Sequence, residues 1–171
     1  MKLIILGCGG YGHTIADVAD QTKLFKEIRF LDDNVDKPEV VGRISDFKSF
    51  IDSDTEFYPA VGNNKKRIEW MNKLDDAGAK IATIIHPSAF ISPKASIDKG
   101  TAVLPGAIVN TGVEIGKGCI INIGAIIDHD TVLECGVHIA PGAIVKGQNR
   151  MAAFLKVESG TVVETGGLEN G

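Results

Sequence analysis

A histidine between two aspartates, in the segment Ile127-Asp128-His129-Asp130, has the residue types needed for proton transfer. Histidine titrates near neutral pH and can accept a proton from a nucleophile as a general base. A carboxylate at Asp130 would orient the imidazole ring and stabilise its protonated form. A lone surface histidine is more often solvated than catalytic, so its interpretation depends on the elements that position it.

The elements around His129 repeat every six residues. From Ile85 to Val163, every sixth residue is apolar, and a small residue such as Ala107 or Ala125 usually follows four positions later, beside a glycine. An amphipathic helix has an apolar stripe that recurs every three to four residues, and a β-sandwich alternates with a period of two. The six-residue period instead predicts short strands and corners stacked as a parallel β-helix, with the aliphatic residues inward and the small residues at the turns.

The residues before the repeat alternate strand and helix patterns. An apolar run at residues 2–6 leads into the glycine-rich segment 7–12 and a helical pattern, and residues 28–31 and 57–61 resemble further strands. Residues 65–77 have the periodicity of an amphipathic helix. We therefore predict an α/β Rossmann-like subdomain with a small parallel sheet in residues 1–83, followed by an all-β parallel β-helix in residues 84–171.

Composition argues against several classes of protein. The chain has 171 residues and a net charge of −4, which gives no reason to expect a nucleic-acid partner. Its initial apolar run is too short for a signal peptide or a membrane span. Cys8, Cys119 and Cys135 show no metal-binding spacing and suit a reduced compartment. We therefore expect a cytoplasmic protein without a membrane partner.

The order of the motifs resembles that of a known family. A glycine-rich loop, an acidic pair after the second strand, and the segments 61–65, 85–89 and 122–138 follow one another in this order. The series is similar to the hexapeptide-repeat acyltransferases that acetylate bacterial nucleotide-linked amino sugars, and to the related sialic acid O-acetyltransferases. The likeness covers about residues 1–147. It implies a left-handed β-helix with three hexapeptides per coil, a hand opposite to that of ordinary crossover connections.

The resemblance also assigns roles to residues of the β-helix. His129 becomes the general base and Asp130 its partner, at a position where the family often has glutamate. His138 is implied to contact acetyl-CoA, and Asn122 matches an active-site asparagine. Gly147 follows His129 by one full coil, and the resemblance makes its N–H a donor to the thioester carbonyl as that oxygen gains charge.

The N-terminal residues are implied to hold the acceptor. Gly9, Gly10 and Gly12 at a helix start let the backbone approach a ligand, where N–H groups favour anions. An aspartate after the second strand often holds a ribose, as in NAD-binding domains, but about eighty residues are too few for the full dinucleotide fold. The resemblance favours a nucleotide sugar. The residues expected to contact it are Gly9, Gly10, Asp32, Asp33, Gly62 and Asn63.

We therefore expect an enzyme that transfers acetyl from acetyl-CoA to the amine of a UDP-linked 4-amino-deoxy sugar, without a metal. The resemblance implies a homotrimer with CoA between neighbouring subunits. The alternatives are a sialic acid O-acetyltransferase and a non-catalytic β-helix scaffold. A γ-type carbonic anhydrase needs three zinc-binding histidines, and His129 and His138 are too widely spaced for that family's close pair.

The end of the repeat departs from the pattern. After Gly147 the glycines and small residues disappear from residues 148–154, although the six-residue step resumes at Val157. We therefore expect either abbreviated final coils or a different mode of CoA binding. Lys146, Arg150 and Lys156 are candidate partners for the CoA phosphates.

Overall fold

The computed structural model describes residues 1–166, so the last five residues of the predicted β-helix segment lie outside the described part. The N-terminal part is a five-stranded parallel sheet with strand order β3-β2-β1-β4-β5. Its elements are β1 (Lys2–Leu6), α1 (Gly10–Thr22), β2 (Glu27–Leu31), β3 (Val40–Gly42), a 3₁₀ helix (Ile44–Phe50), β4 (Thr55–Pro59), α2 (Asn64–Asp76) and β5 (Lys80–Ile81). No helix of residues 1–166 is both long and apolar enough to cross a membrane.

Both faces of this sheet are buried, which is why β1 is a continuous apolar run rather than an alternating one. Leu3 and Ile5 pack against α1, whereas Ile4 and Leu6 pack on the other side with residues of α2 and the 3₁₀ helix. The predicted parallel sheet is therefore confirmed. β3, β5 and the 3₁₀ helix were not predicted, because edge elements of two to seven residues carry too little periodicity.

The six-residue repeat forms stacked coils, each strand pairing in parallel with the strand 18 residues further along. Three sheets result, and we call them the first, second and third faces of the β-helix. The first face comprises β6 (Ile84–Ile85), β9 (Ala102–Val103), β12 (Ile120–Ile121), β15 (His138–Ile139) and β18 (Lys156–Val157). The second comprises β7 (Phe90–Ile91), β10 (Ile108–Val109), β13 (Ile126–Ile127), β16 (Ile144–Val145) and β19 (Val162–Val163). The third comprises β8 (Ser96–Ile97), β11 (Glu114–Ile115), β14 (Val132–Leu133) and β17 (Arg150–Met151).

Two residues of each hexapeptide fill the interior of the β-helix. The aliphatic residue that ends each strand points inward, and so does the small residue four positions later, as Ile121 and Ala125 show. The corner itself is made by the residue just before the small one, which has a positive φ, 64° at Gly124. The small residues are therefore core residues and not, as predicted, the turn.

Three corners have a positive φ although their residue is not glycine. Asp130, Gln148 and Phe154 have φ values of 54°, 62° and 66°, in the left-handed region that costs an L-residue about 1–2 kcal/mol. The coils stay regular through these positions, and Met151 and Val157 remain buried in the interior. The final coils are thus not abbreviated within residues 148–166, because the two absent glycines are replaced by strained corners.

Helix α2 docks on a column of corner glycines between the third and first faces. Gly100, Gly118 and Gly136 stack one per coil, and a Cβ at Gly118 would lie 2.5 Å from Met71 Sδ and 2.6 Å from Ile68 Cδ1. The side chains of α2 therefore pack directly on bare backbone. Phe154 occupies the fourth position of this column and ends it.

A buried arginine reinforces the docking. Arg67 of α2 is fully buried, and it donates to the carbonyl oxygens of Gly118 (2.8 Å) and Gly136 (3.0 Å) on the β-helix. It also donates to Val61 O and to Asn64 Oδ1 in its own part of the chain. All four acceptors are neutral, so the guanidinium acts as a multidentate donor that fixes the sheet relative to the β-helix.

Replacing Gly118 by alanine is expected to destabilise the protein more than replacing Gly124. The two glycines have φ values of 65° and 64°, so alanine carries a similar backbone penalty at each. A Cβ at Gly118 also meets Met71 and Ile68, whereas a Cβ at Gly124 meets nothing within 4 Å. We expect an extra loss of about 1–3 kcal/mol for Gly118→Ala, measured as the free energy of unfolding in urea. Equal losses would contradict the docking of α2 on this column.

Candidate active site

His129 lies at the corner between the second and third faces, just after β13. Its side chain is 46% exposed, and its Nδ1 lies 2.9 Å from Asp130 Oδ2. This hydrogen bond, together with the charge of Asp128, raises the pKa of His129 above its ordinary value. With Nδ1–H donated to the carboxylate, the neutral ring presents the Nε2 lone pair as a proton acceptor.

The Asp130 carboxylate reaches the ring because of two backbone features. Asp130 itself has φ 54°, and its side chain lies over Gly112, one coil before it. A Cβ at Gly112 would lie 2.3 Å from Asp130 Oδ1, so a larger residue there would displace the carboxylate. Strained backbone of this kind is concentrated at functional sites.

Gly147 lies against the imidazole ring, as the one-coil spacing predicts. A Cβ at Gly147 would be 2.7 Å from His129 Nε2 and 2.9 Å from Cε1. Any side chain at this position would therefore push the ring away. Glycine is therefore needed at position 147 to leave room for the His129 ring. The backbone does not require glycine there, since Gly147 is not among the residues with positive φ.

Asp128 belongs to this site although the sequence interpretation gave it no role. Its Oδ1 accepts from the His129 N–H (2.8 Å) and from Asn110 Nδ2 (2.9 Å), one coil earlier. These bonds, His129 first, lower the pKa of Asp128, and the N–H of Gly147 contributes as well.

His138 and Asn122 form a second pair whose protonation the geometry defines. Asn122 Oδ1 accepts from the Ile123 N–H, so its Nδ2 is the donor to His138 Nε2, 3.1 Å away. His138 must therefore carry its proton on Nδ1. Burial, and then the positive charges of Arg67 and Lys156, lower the pKa of His138 to about 4. The ring is neutral near pH 7 and offers an Nδ1–H donor.

The two histidines lie on different sides of the β-helix. His138 belongs to β15 on the first face, whereas His129 occupies the corner between the second and third faces, opposite that face. The N-terminal part also covers the first face, where Ile84 and Ala102 pack with Ile15 of α1. One chain therefore does not bring His129 together with His138 or with the predicted acceptor-binding residues.

The predicted acceptor residues lie at two places in the N-terminal part. Asp32 Oδ2 accepts from the Cys8 N–H (2.6 Å) and Oδ1 from the Asn34 N–H (2.9 Å). Burial acts to raise the pKa of Asp32, but these bonds and the charge of Lys37 outweigh it, so the pKa is lowered. Beside this carboxylate, Gly9 and Gly10 at the start of α1 and Asp33 are exposed.

Gly12 and Asn63 have structural roles in the N-terminal part. A Cβ at Gly12 would lie 2.1 Å from Gly7 O, so Gly12 allows α1 to approach β1 rather than a ligand. Asn63 caps α2 by accepting from the Lys66 N–H at 3.0 Å. Gly62 and Asn63 border a shallow cavity of about 330 Å³ that also includes Phe154 and Lys156 of the β-helix.

The three cations suggested as phosphate partners each face a glutamate. Arg150 lies 2.9 Å from Glu134, Lys156 lies 2.9 Å from Glu158, and Lys146 pairs with Glu164. Their charges are thus partly neutralised before any phosphate binds. Arg150 and Glu134 line a groove of about 490 Å³ along the third face.

Known proteins share both the sequence features and the structure. The sequence model of the PglD N-terminal domain matches residues 2–74. The acetyltransferase domain of PglB from Neisseria gonorrhoeae FA1090 is 32% identical, with a TM-score of 0.91 over 96% of this chain and 82% of that one. That domain is also known in complex with acetyl coenzyme A.

More distant structures share the fold. Perosamine N-acetyltransferase from Caulobacter crescentus is 24% identical, with a TM-score of 0.79 over 96% of this chain and 89% of that one. WeeI from Acinetobacter baumannii AYE is 19% identical, with a TM-score of 0.69 over 97% of each chain. The likeness to the PglB domain extends over nearly the whole chain, which includes both the parallel sheet and the β-helix. The chain therefore belongs to the left-handed β-helix, hexapeptide-repeat family of sugar acetyltransferases and is an enzyme.

Proposed function

We propose that this enzyme transfers acetyl from acetyl-CoA to the amine of a UDP-linked 4-amino-deoxy sugar, with His129 as the general base. The observation that carries this proposal is the contact of His129 with Asp130 on one side and with Gly147 on the other. The acetyl coenzyme A bound by the similar PglB domain supports the choice of donor. All three cysteines are free, which suits the reduced cytoplasm where we expect the reaction.

The proposed step is a direct attack. The sugar amine forms a bond to the thioester carbon as His129 Nε2 takes its proton, and the resulting imidazolium is stabilised by Asp130. The C–S bond then breaks, and the proton passes from His129 to the departing CoA thiolate. The Nδ1–H of His138 is suited to donate to the acetyl-CoA carbonyl, because the ring is neutral and its Nε2 is held by Asn122.

The N-terminal part, residues 1–83, is proposed to hold the nucleotide of the acceptor. Asp32 keeps its charge through the N–H groups of Cys8 and Asn34, and its carboxylate borders the exposed backbone of Gly9 and Gly10. A ribose hydroxyl donating to Asp32, with the phosphates near the start of α1, would fit this arrangement. Turnover with a panel of UDP-linked and GDP-linked amino sugars and free sialic acid identifies the acceptor.

The site is proposed to be completed by a second copy of the chain in a trimer. Within one copy, His129 lies at the corner opposite His138 and the N-terminal part, so donor contacts and base must come from neighbours. The second face carries a ladder of apolar side chains that point away from the core, and Phe90 is 58% exposed. Such a surface favours association. The ladder comprises Phe90, Ile108, Ile126, Ile144 and Val162.

Substitution of the base is the first test. His129→Ala is expected to lower kcat by about a hundredfold to ten-thousandfold with acetyl-CoA and the accepted sugar, because the amine loses its proton acceptor. Thr111→Ala is the matched control, since Thr111 is an exposed residue of the same corner one coil earlier. Full activity of the His129 variant would contradict the mechanism.

The pH dependence of kcat/KM should follow His129. The base acts when neutral, so activity falls as the pH drops through its pKa, which Asp130 holds above the ordinary value. Asp130→Asn removes the charge that raises the pKa, so the acidic limb should move to lower pH while the plateau rate falls. His138, with a pKa of about 4, adds no limb near neutrality. A limb that stays in place in the Asp130 variant would exclude His129 as the titrating base.

Mixing two inactive variants tests the shared site. His129→Ala and His138→Ala are each expected to be nearly inactive alone. When the two chains are co-expressed and the mixed trimers are purified through two different tags, about a third of sites should combine an intact His129 with an intact neighbouring His138, because each mixed cyclic trimer has one such pairing among its three interfaces. Activity recovered in the mixed oligomer, against the separately purified variants, is the measurement. No recovery would contradict a site shared between neighbouring chains.

A further inference from the structure

A second group of reactive side chains lies over the glycine-rich loop, on a different part of the molecule from His129. Cys8 Sγ lies 3.8 Å from His13 Nε2 and 3.6 Å from Glu39 Oε1, and the latter two atoms are 3.8 Å apart. We propose that these three side chains bind a Zn²⁺ ion or a divalent cation of similar preference. The site lies away from His129 and borders the loop proposed to hold the acceptor, and metal binding there can be measured independently of the function proposed above.

The fold brings these residues together from three elements. Cys8 lies in the loop between β1 and α1, and His13 lies in the first turn of α1. Glu39 directly precedes β3, whose first residue pairs with Phe30 near the end of β2. Because β1, β2 and β3 are parallel neighbours, the start of β3 lies beside the carboxyl ends of the other two.

The donor set and the spacing suit zinc. Thiolate, imidazole and carboxylate are its usual protein ligands, at about 2.3 Å for sulfur and 2.0–2.2 Å for nitrogen or oxygen. Tetrahedral angles then separate sulfur from the other ligands by about 3.6 Å, and nitrogen from oxygen by about 3.4 Å. The observed separations exceed these by no more than about half an ångström, within the reach of small side-chain rotations.

The charges of the three side chains and their access to solvent also suit a divalent cation. The Cys8 thiol hydrogen-bonds to Glu39, so an arriving ion would displace the thiol proton to solvent and leave two negative ligands for its two positive charges. Cys8 is buried, but the side chains of His13 and Glu39 are 50% and 38% exposed, which leaves one side open for water as a fourth ligand. The nearby Lys37 ammonium is held by Cys8 O and faces the Asp32 carboxylate.

A bound ion would fasten the segment before β3 to the glycine-rich loop. Without it, only three weak contacts join the groups, Cys8 with His13, Cys8 with Glu39, and His13 with Glu39. Ligand bonds would replace these contacts and would restrain the backbone beside Asp32. The effect is structural, so it is measurable without any substrate.

The test uses the untagged full-length chain titrated with Co²⁺ and, in competition, with Zn²⁺. One Co²⁺ per chain is expected, with a near-ultraviolet thiolate charge-transfer band and the visible bands of a tetrahedral ion. Zn²⁺ should displace Co²⁺ and raise Tm, since it binds the folded chain. His13→Gln and Glu39→Gln should each weaken binding at least about tenfold, because each removes a direct ligand. Cys8→Ser should abolish the charge-transfer band.

Cys135→Ser is the matched control, because it removes a more accessible thiol on the β-helix and should leave binding and Tm response unchanged. His13 is exposed, so its variant tests the site without disturbing the core. Loss of the band in the Cys135 variant, undiminished binding in the His13 and Glu39 variants, or no stoichiometric binding to the original chain would each overturn the proposal.

Discussion

The relation between the two parts of this enzyme depends on one buried cation. Arg67 carries a full charge in the interior and is satisfied only by neutral oxygens, two of them from successive coils of the β-helix. Removing Arg67 would leave buried carbonyl groups without donors. Separating the two parts would break the hydrogen bonds between the Arg67 guanidinium and the β-helix. Its field also reaches the site: after burial, Arg67 is the next cause of the low pKa of His138. The contact that joins the two parts therefore also helps to keep the His138 imidazole neutral.

Much of the fold could be predicted because the repeat is periodic. The unbroken six-residue series predicts the strands and the inward aliphatic column. The stacking of Gly147 on His129 follows only with the coil of three hexapeptides that the family resemblance implies. Other features carry no such signal. In an amphipathic helix pattern, Arg67 resembles a solvated residue, and its acceptors are backbone atoms without sequence identity. The pairing of Asp128 with Asn110 is likewise hidden, because the two residues become neighbours in adjacent coils only once the coil length is known.

The triangular cross-section explains why the histidines are apart. Nine residues are half a coil, so His138 must fall on the face opposite the corner that bears His129. Each chain would thus carry one part of the proposed chemistry on each side. In a cyclic trimer each chain presents two different patches, one to each neighbour, and every interface is equivalent. Packing and catalysis would then depend on the same apolar second face.

Phe154 illustrates how a repetitive structure avoids ambiguity. Successive coils are nearly identical, so helix α2 has several equivalent corners on which to rest, each one coil further along. Glycine is present at three of these positions, and the fourth carries an aromatic ring despite the strained backbone this requires. A shift of α2 by one coil would bring it onto this ring instead of onto bare backbone. An aromatic residue at one corner therefore disfavours the neighbouring register of an otherwise periodic interface.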